Sequence, residues 1–594
     1  LDLTRPDHNL GLCSGKFKDI FKRQNLIYLF LFGLIILVLS TVDQLGTNFT
    51  GDPLDHLAVM RKAIEGLPLT IENLGHAKNQ IQIAYALPVW HVFLGLLTKI
   101  SGTNIFIVYR EITTVLAGLV FLVWYWFFRK LLPTRELAIL ALFLFILFHF
   151  YNNAYLYTRL PVPDTFNMLL LMPLCFGLAL NYIFNKDSNY KHLVILSLTL
   201  TFMGFIHWTQ YFYYLFAMGL FAVIYPIFKY REPDFKPVFK RILLSIFANM
   251  ILVLPSLLFL YLKDIISSNL GTFTSVKKVS TNDRLYKFDP YFKLSYILLP
   301  LVAVFFRKYR KLIFIFGVFL IGPLVYNIPS FYRFSREFLS HVFVNRFYTN
   351  LGQWPYLVWA ILIGFVLVLI DRLLSKIYPS WKYLRFLIDG LLLIFLVWMF
   401  WIQYRTGQIQ KLYFSVFDFS TSTFNFLNAN YYWLIPVIVG IALIIYILQK
   451  YYPSLVEFFT FKEYKNSSTM LILTLIIIFF LGIPSFSHLN YYPKKEFQNW
   501  HFFLNVTDPT ADFINPDKFG GMAAIDFIKK NIPPKSVFDT NTQASYTLPT
   551  LVDVHMASYS IDPIAPTKKY KDLYNPEVSI EKKLKMLKES GIEY

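Results

Sequence analysis

Gly51-Asp52-Pro53-Leu54-Asp55-His56 lies just beyond the first hydrophobic run of the chain, at about residues 26–45. Two carboxylates and an imidazole are costly to place beside lipid, so we expect them to face water or a substrate. The hexapeptide therefore predicts a polar site at a membrane interface. The rest of the chain determines the side of the membrane on which this site lies.

The composition is typical of a membrane protein. Of the 594 residues, 56% are hydrophobic and 15% are charged, whereas soluble domains average about 25% charged residues. Many apolar runs approach the ~20 residues that cross the hydrocarbon core. We predict about thirteen spans, at roughly 26–45, 104–128, 136–151, 165–184, 192–206, 211–228, 242–262, 291–306, 312–327, 351–371, 386–404, 431–449 and 469–485.

The distribution of basic residues predicts the topology. The apolar segment 81–100 contains Pro88 and His91, and we interpret it as a juxtamembrane or re-entrant helix. With a cytoplasmic N-terminus, the inner connectors then hold 26 Lys and Arg in 90 positions and the outer ones 14 in 129. This excess follows the positive-inside rule. The net charge of +20 is therefore a topology signal, and we expect a multi-pass plasma-membrane protein without a nucleic-acid partner.

The chain divides into three regions. Residues 1–25 form a cytoplasmic segment, and residues 26–485 form the membrane domain, with an outer loop at 46–103 that carries the juxtamembrane helices. Residues 486–594 mix charge, proline and short apolar runs. Helical spacing over Gly521–Asn531, a strand candidate at 535–540 and an amphipathic stretch at 578–590 predict a small extracytoplasmic α/β domain. Another strand is expected where the chain ends, at Gly591-Ile592-Glu593-Tyr594, so we expect this domain to be truncated.

A second acidic motif falls on the same predicted face. Tyr157-Thr158-Arg159-Leu160-Pro161-Val162-Pro163-Asp164 ends where the next span begins. In both motifs a proline stiffens the turn beside the carboxylate. One outward aspartate is often only a solvated helix cap. Two such motifs on one face favour a functional site.

The order of these features resembles the GT-C superfamily. Its members are integral-membrane glycosyltransferases, among them protein O-mannosyltransferases, aminoarabinose transferases and oligosaccharyltransferase catalytic subunits. The resemblance rests on the first span, the hexapeptide, an amphipathic helix at 57–67, the proline-containing segment 81–100, Arg129-Lys130 between two spans, and Arg159–Asp164. It implies transfer of a sugar, with inversion, from a polyprenyl- or dolichyl-phosphate donor to a protein, lipid or polysaccharide acceptor at the outer face.

The resemblance also implies a catalytic carboxylate in the first outer loop. Asp52 is the candidate general base and Asp55 is the alternative. An inverting transfer needs one carboxylate to take the proton of the acceptor hydroxyl and needs no nucleophilic carboxylate. His56 either assists this base or caps the helix at 57–67.

The lipid phosphate that leaves needs cationic partners, and the planar fork of arginine binds phosphate oxygens in pairs. Arg346 is at the position where the superfamily often has a phosphate-binding arginine, and Arg333 and Arg336 are nearby candidates. Arg159 either joins them or pairs with Asp164. Each arginine can instead be an interface residue whose head reaches toward water.

His207 and Trp208 fall in a very short outer turn. Trp208 can stack on a sugar, although tryptophan is also common in interfacial aromatic belts. Asp55, His56 and Asp164 could together hold a divalent cation, but histidine-rich spacing is absent, and we expect no metal or other cofactor.

Two other functions remain open from the sequence. One is a non-enzymatic exporter, flippase or transporter of glycans or lipids. Transporters place ionisable residues in mid-span, whereas here the acidic groups gather at one interface, which favours the enzyme. The other is a GT-C scaffold that binds glycans without transferring them.

Overall fold

In the computed structural model of this protein, the described residues form helices of mainly apolar sequence and one pair of short strands. The structure describes residues 52–66, 88–103, 105–150, 154–267, 295–306, 308–327, 346–347, 349–377, 434–451, 521–534, 536–538, 552, 554–556 and 578–590. The elements are α1 Asp52–Glu65, α2 Val89–Ser101, α3 Ile105–Leu131, α4 Arg135–Leu144, α5 Ala154–Tyr157, α6 Pro163–Phe184, α7 Tyr190–Ile206, α8 Trp208–Lys229, α9 Phe235–Ser267, α10 Ile313–Asn327, α11 Pro355–Ile377, α12 Leu434–Tyr451, α13 Gly521–Asn531, β1 Val537–Phe538, β2 His555–Met556 and α14 Ile580–Ser590.

Four of the described helices are long and apolar enough to cross a membrane: α3, α6, α8 and the Phe235–Pro255 part of α9. The prediction of a helical membrane protein is therefore confirmed. The number of spans stays a prediction, because the runs at 26–45, 386–404 and 469–485 lie outside the described residues. Within the run at 291–306, the described residues are helical over Ser295–Phe305, with a 3-10 turn over Leu299–Phe305.

Helix α2 explains the ambiguity of segment 81–100. The helix has 13 residues and is therefore about 20 Å long, too short to cross a hydrocarbon core of about 30 Å. It ends at Gly102, whose φ of 64° is left-handed and favours glycine. One face, including Trp90 and His91, is buried, while Phe93 and Ile100 on the other face are exposed. This division fits a helix that lies along a membrane interface.

The basic connectors meet at one end of the bundle. Lys130, at the end of α3, donates to Asn181 Oδ1 in the last turns of α6 over 2.9 Å. Lys311 Nζ donates to the Lys130 carbonyl oxygen over 2.9 Å, and Arg310 pairs with Asp234. The described residues of the connectors 129–135, 229–241 and 307–311, which the sequence assigns to the same side, therefore lie together. Which side this is stays a prediction.

The interior of the bundle is aromatic and tightly packed. Helix α10 packs against α8 through Gly317, where an added Cβ atom would lie 2.9 Å from the Phe221 nitrogen and 3.0 Å from the Ala217 oxygen. The fully buried Trp124 and Trp354 are in ring contact, with centroids 5.6 Å apart. Such packing fixes the relative positions of the helices, and hence of the side chains at their ends.

The helix after the first hydrophobic run begins earlier than the sequence suggested. The amphipathic helix was expected at 57–67, but α1 starts at Asp52. Pro53 suits the first turn of a helix because it lacks only an N–H that has no partner inside the helix. His56 is therefore inside α1, and the interpretation of His56 as a cap is wrong.

The C-terminal region contacts this helix. Arg61 of α1 donates to the Val552 carbonyl oxygen over 3.2 Å. Nearby, β1 and β2 pair in parallel, with Val537 opposite His555. The described residues after 520 thus comprise two helices and one strand pair. The α/β domain at 486–594 and the domain boundaries stay predictions.

Candidate functional site

The carboxylate of Asp164 lies in the first turn of α6, directly after Pro163, where the positive end of the helix dipole favours an anion. Its side chain is 4% exposed and pairs with two arginines. Arg346 Nη1 pairs with Oδ2, and Arg159 Nη2 lies 4.0 Å from Oδ1. Two loops that the sequence places far apart thus meet on one carboxylate. The interpretation of Arg159 as a partner of Asp164 is supported by this geometry.

The exposure of the two arginines differs. Arg159 is 15% exposed and Arg346 is 32% exposed, so Arg346 is the more accessible of the two guanidinium groups. A guanidinium has five donors and can bind a carboxylate and a second anion together. Two cations and one anion leave one positive charge in this cluster. The arrangement can therefore accept a phosphate whose orientation is set through Asp164.

A pair of buried histidines lies beside this cluster. His56 Nδ1 and His91 Nε2 are 2.9 Å apart, and the rings stack with centroids at 5.1 Å. Burial lowers the pKa of His56 to about 3; Asp164 acts in the opposite direction, and the nearby cations Arg159 and Arg346 lower it further. Burial also lowers the pKa of His91. Both imidazoles are therefore neutral at pH 7, and they act as hydrogen-bonding groups rather than cations.

The start of α8 is joined to the start of α6. His207 is the single residue between α7 and α8, and its backbone is extended. Gln210 Nε2 donates to the Asp164 carbonyl oxygen over 3.2 Å, and Asn167 Nδ2 donates to the His207 carbonyl oxygen over 3.0 Å. His207 Nδ1 is 2.8 Å from Thr209 Oγ1. These bonds hold the short turn against the acidic one.

Helix α2 supports the turn that carries Asp164. Trp90 Nε1 donates to the Pro161 carbonyl oxygen over 2.6 Å, and its ring stacks on Phe166 at 4.0 Å. Trp208 lies at the start of α8, half-buried, with its ring edge-on to Phe212 at 5.7 Å. The tryptophan that borders the acidic turn is thus Trp90, which the sequence did not single out.

The candidate bases are described through their backbone alone. Asp52 and Asp55 lie in the first turn of α1, and position 52 is one turn before His56 on the same helical face. Their side chains, like Arg333 and Arg336, lie outside the described residues. The structure thus brings together His56, Arg159, Asp164, His207 and Arg346. The role of each stays a prediction.

The described part of the chain has no group of three or more His, Cys, Asp and Glu side chains arranged to hold a metal ion. Because the side chains of Asp52 and Asp55 are not among the described ones, the expectation that no metal is needed stays a prediction.

Sequence reasoning missed four residues of this region: Trp90, His91, Asn167 and Gln210. A signal existed for two of them, since Trp90-His91 follows Pro88 in the apolar segment whose path was ambiguous. Asn167 and Gln210 gave no signal, because isolated amides near helix ends are common.

No protein-family model matches the chain, and no curated protein matches it. Two solved structures are similar in fold. One is ArnT from Cupriavidus metallidurans bound to undecaprenyl phosphate, with 11% identity and a TM-score of 0.45 over 94% of this chain and 90% of that one. The other is the oligosaccharyltransferase of Archaeoglobus fulgidus tethered to an acceptor peptide containing an NVT sequon, with 11% identity and a TM-score of 0.42 over 97% of this chain and 69% of that one.

Both solved structures are GT-C glycosyltransferases, the superfamily that the sequence resembles. At 11% identity and with TM-scores below 0.5, neither likeness carries an argument about this chain. The roles of individual residues rest on the contacts of this chain.

Proposed function

We propose that this protein is an inverting glycosyltransferase. It moves a hexosyl or pentosyl group from a polyprenyl- or dolichyl-phosphate donor to a protein, lipid or polysaccharide acceptor at the outer face of the membrane. The observation that carries the proposal is the meeting of Asp164, Arg346 and Arg159 beside neutral His56. This cluster is an anion-binding arrangement at the end of the bundle opposite the basic connectors.

The donor phosphate binds to Arg346, with Arg159 as the second cation. Asp164 positions both guanidinium groups, and its own charge is neutralised by them. As the bond between the anomeric carbon and the phosphate oxygen breaks, the electron pair leaves with the lipid phosphate. The arginines stabilise the charge that develops on this leaving group.

The acceptor hydroxyl attacks the anomeric carbon from the opposite face of the sugar and loses its proton to Asp52. Asp55 is the alternative base. Position 52 precedes His56 by one helical turn, which supports the placement of Asp52 near the arginine cluster. His56 is neutral, so it hydrogen-bonds without competing with the donor phosphate for the arginines. His207 lines the same region, and Trp208 is the candidate platform for a sugar ring.

The test is genetic and chemical. Cells that lack the gene should lose one envelope glycan and accumulate a polyprenyl-phosphate sugar, as measured by mass spectrometry. Asp52→Asn should reproduce this loss at normal expression, while Asp187→Asn, an exposed aspartate between α6 and α7, should restore the glycan. If Asp52→Asn and Asp55→Asn each restore it fully, neither residue is the base. If deletion instead leaves finished glycan inside the cell, the exporter is the better reading.

A further inference from the structure

Basic side chains concentrate at the end of the bundle where the connectors meet. The connector between α6 and α7 joins the three described above, since Arg241 Nη1 donates to its Asn185 carbonyl oxygen over 2.7 Å. The described side chains of these four connectors include 13 Lys and Arg and 3 Asp and Glu. Two of these acids, Asp234 and Glu232, already pair with a cation of the same connectors. This end of the bundle therefore carries a large excess of positive charge.

Lys311 is surrounded by other cations. It is half-buried, and its Nζ donates to the Lys130 carbonyl oxygen at the end of α3 over 2.9 Å. Burial lowers the pKa of Lys311 to about 8. The charged groups that add to this shift are all cations: Lys130, Arg310 and Arg129. Asp234, which pairs with Arg310, balances one of these charges. Like charges around a half-buried ammonium are costly, so the four cations form a basic patch that favours a further anion.

An exposed apolar stripe of α3 leads to this patch. Val115, Leu119 and Leu122 are 56%, 43% and 50% exposed, and their spacing places them on one face of the helix. Arg129 is about two turns beyond Leu122 on the same face, and it is also exposed. By helical rise, Val115 and Arg129 are about 21 Å apart, which matches the ~20–22 Å depth of one bilayer leaflet with its headgroups.

Trp126 lies between the apolar stripe and the patch. Lys130 Nζ is 5.7 Å from the centroid of its ring. The ring packs against Gly177 of α6, where an added Cβ atom would overlap it. Tryptophan is enriched at the depth of the lipid headgroups. A phospholipid whose acyl chains follow the stripe would therefore have its phosphate at the level of the basic patch.

We infer that the basic patch binds the headgroup of an anionic phospholipid whose acyl chains lie along the exposed face of α3. Arginine and lysine bind phosphate oxygens through charge-assisted hydrogen bonds. The stripe favours a lipid over a soluble phosphate, because only a lipid has apolar chains to place on it. Under the predicted topology this end faces the cytoplasm, where the leaflet is rich in anionic lipid. Lys130 contacts α6 at Asn181, about 26 Å along that helix from Asp164, so the site is separate from the proposed donor site.

The experiment titrates the full chain in neutral detergent with single lipids and measures bound lipid by native mass spectrometry. The lipids are dioleoyl phosphatidylglycerol and dioleoyl phosphatidylcholine, which share their acyl chains and differ in headgroup charge. Glycerol 3-phosphate is the soluble anion without acyl chains. The variants are Arg129→Gln, Lys311→Gln and the two combined. Lys186→Gln combined with Lys191→Gln is the matched control, because both lysines are exposed and lie in a connector at the same end.

We expect the unaltered chain to bind phosphatidylglycerol more tightly than phosphatidylcholine. One basic residue beside anionic lipid contributes about fivefold in affinity, so each single variant should weaken phosphatidylglycerol binding about fivefold and the combined variant about 25-fold. Phosphatidylcholine binding should not change in any variant, and the control should bind both lipids as the unaltered chain does. Glycerol 3-phosphate should not displace phosphatidylglycerol. Phosphatidylglycerol should also raise the melting temperature of the unaltered chain, because a ligand of the folded state stabilises it.

Three results would overturn the inference. The first is equal affinity of the unaltered chain for the two phospholipids. The second is a loss of phosphatidylglycerol binding in the control as large as in the combined variant, which means that diffuse charge binds the lipid without a site. The third is displacement of phosphatidylglycerol by glycerol 3-phosphate, which assigns the patch to a soluble anion. If the combined variant does not fold, Arg129→Gln, at an exposed position, decides: unchanged phosphatidylglycerol binding in this variant refutes the site.

Discussion

The ion pairs of Asp164 make a quantitative prediction, because one buried carboxylate pairs with two arginines, Arg159 and Arg346, that are far apart in the sequence. The perturbation is a double-mutant cycle with Asp164→Asn, Arg346→Gln and the combined variant. Asn keeps the shape of Asp and removes its charge. The single change at 164 therefore leaves Arg346 and Arg159 close together without an anion between them.

The geometry sets the size of the effect. Two unit charges 4 Å apart attract by about 4 kcal/mol at an effective dielectric constant of 20, and the Arg159–Asp164 separation is 4.0 Å. Loss of one partner of a buried pair typically costs about 3–5 kcal/mol. Because Arg346 is 32% exposed and water screens it, we expect a loss of about 2–3 kcal/mol for Asp164→Asn.

Arg346→Gln should cost less, since Asp164 keeps Arg159. The combined variant should be more stable than the sum of the two losses predicts, by a coupling energy of about 1–2 kcal/mol. The assay is the free energy of unfolding from SDS titration of the purified chain in mixed micelles. Arg231→Gln, an exposed arginine at the other end of the bundle, paired with Asp164→Asn is the control and should give no coupling.

Additive losses of stability, with a coupling energy below about 0.5 kcal/mol, would refute this reasoning. They would mean that the side chains of Asp164 and Arg346 do not interact in the folded protein. Asp164 could then not position Arg346 for a phosphate.

Two further predictions concern stability. The pKa of His56 is about 3 in the folded protein, against the ordinary value of 6.5. At pH 5 the unfolded chain therefore binds a proton that the folded one excludes, so the free energy of unfolding falls as the pH decreases from about 6.5 toward 3. In SDS titrations, His56→Gln should lose about 2 kcal/mol less of this free energy between pH 7.5 and pH 5.0 than the unaltered protein does, and an equal loss would contradict burial of a neutral imidazole. Gly317→Ala should destabilise the protein by about 1–3 kcal/mol, because the added Cβ atom meets the backbone of α8. Gly219→Ala is the control and should be neutral in the same titration, since nothing lies within 4 Å of its added Cβ atom. Equal effects would mean that α8 and α10 do not approach closely at Gly317.

Part of this arrangement could be predicted because membranes restrict topology. Alternating spans with basic connectors force every second loop to one face. The acidic motif ending at Asp164 and the loop containing Arg346 therefore had to share an end of the bundle. The sequence could name these residues, and also Arg159 as a partner of Asp164, from charge and position.

The rest depends on contacts that periodicity does not encode. His91 lies in an apolar segment, and only the burial of α2 against α1 makes it a partner of His56. Asn167 and Gln210 carry no charge and flank no motif, yet their contacts with the His207 and Asp164 carbonyl oxygens join the starts of α6 and α8. These contacts are a property of packing.

The same packing accounts for the different surroundings of Asp164, Arg346 and His56. An arginine surrounded only by water would be mobile, and it would have to lose hydrating water before it bound a lipid phosphate, so its affinity for the phosphate would be low. Asp164 fixes Arg346 in place, yet it takes only part of the donors of that guanidinium, and the neutral histidines beside it add no competing charge. Under the proposed function, the buried carboxylate orders Arg346 before the donor phosphate binds. Preorganised charge of this kind stabilises a leaving phosphate without further rearrangement.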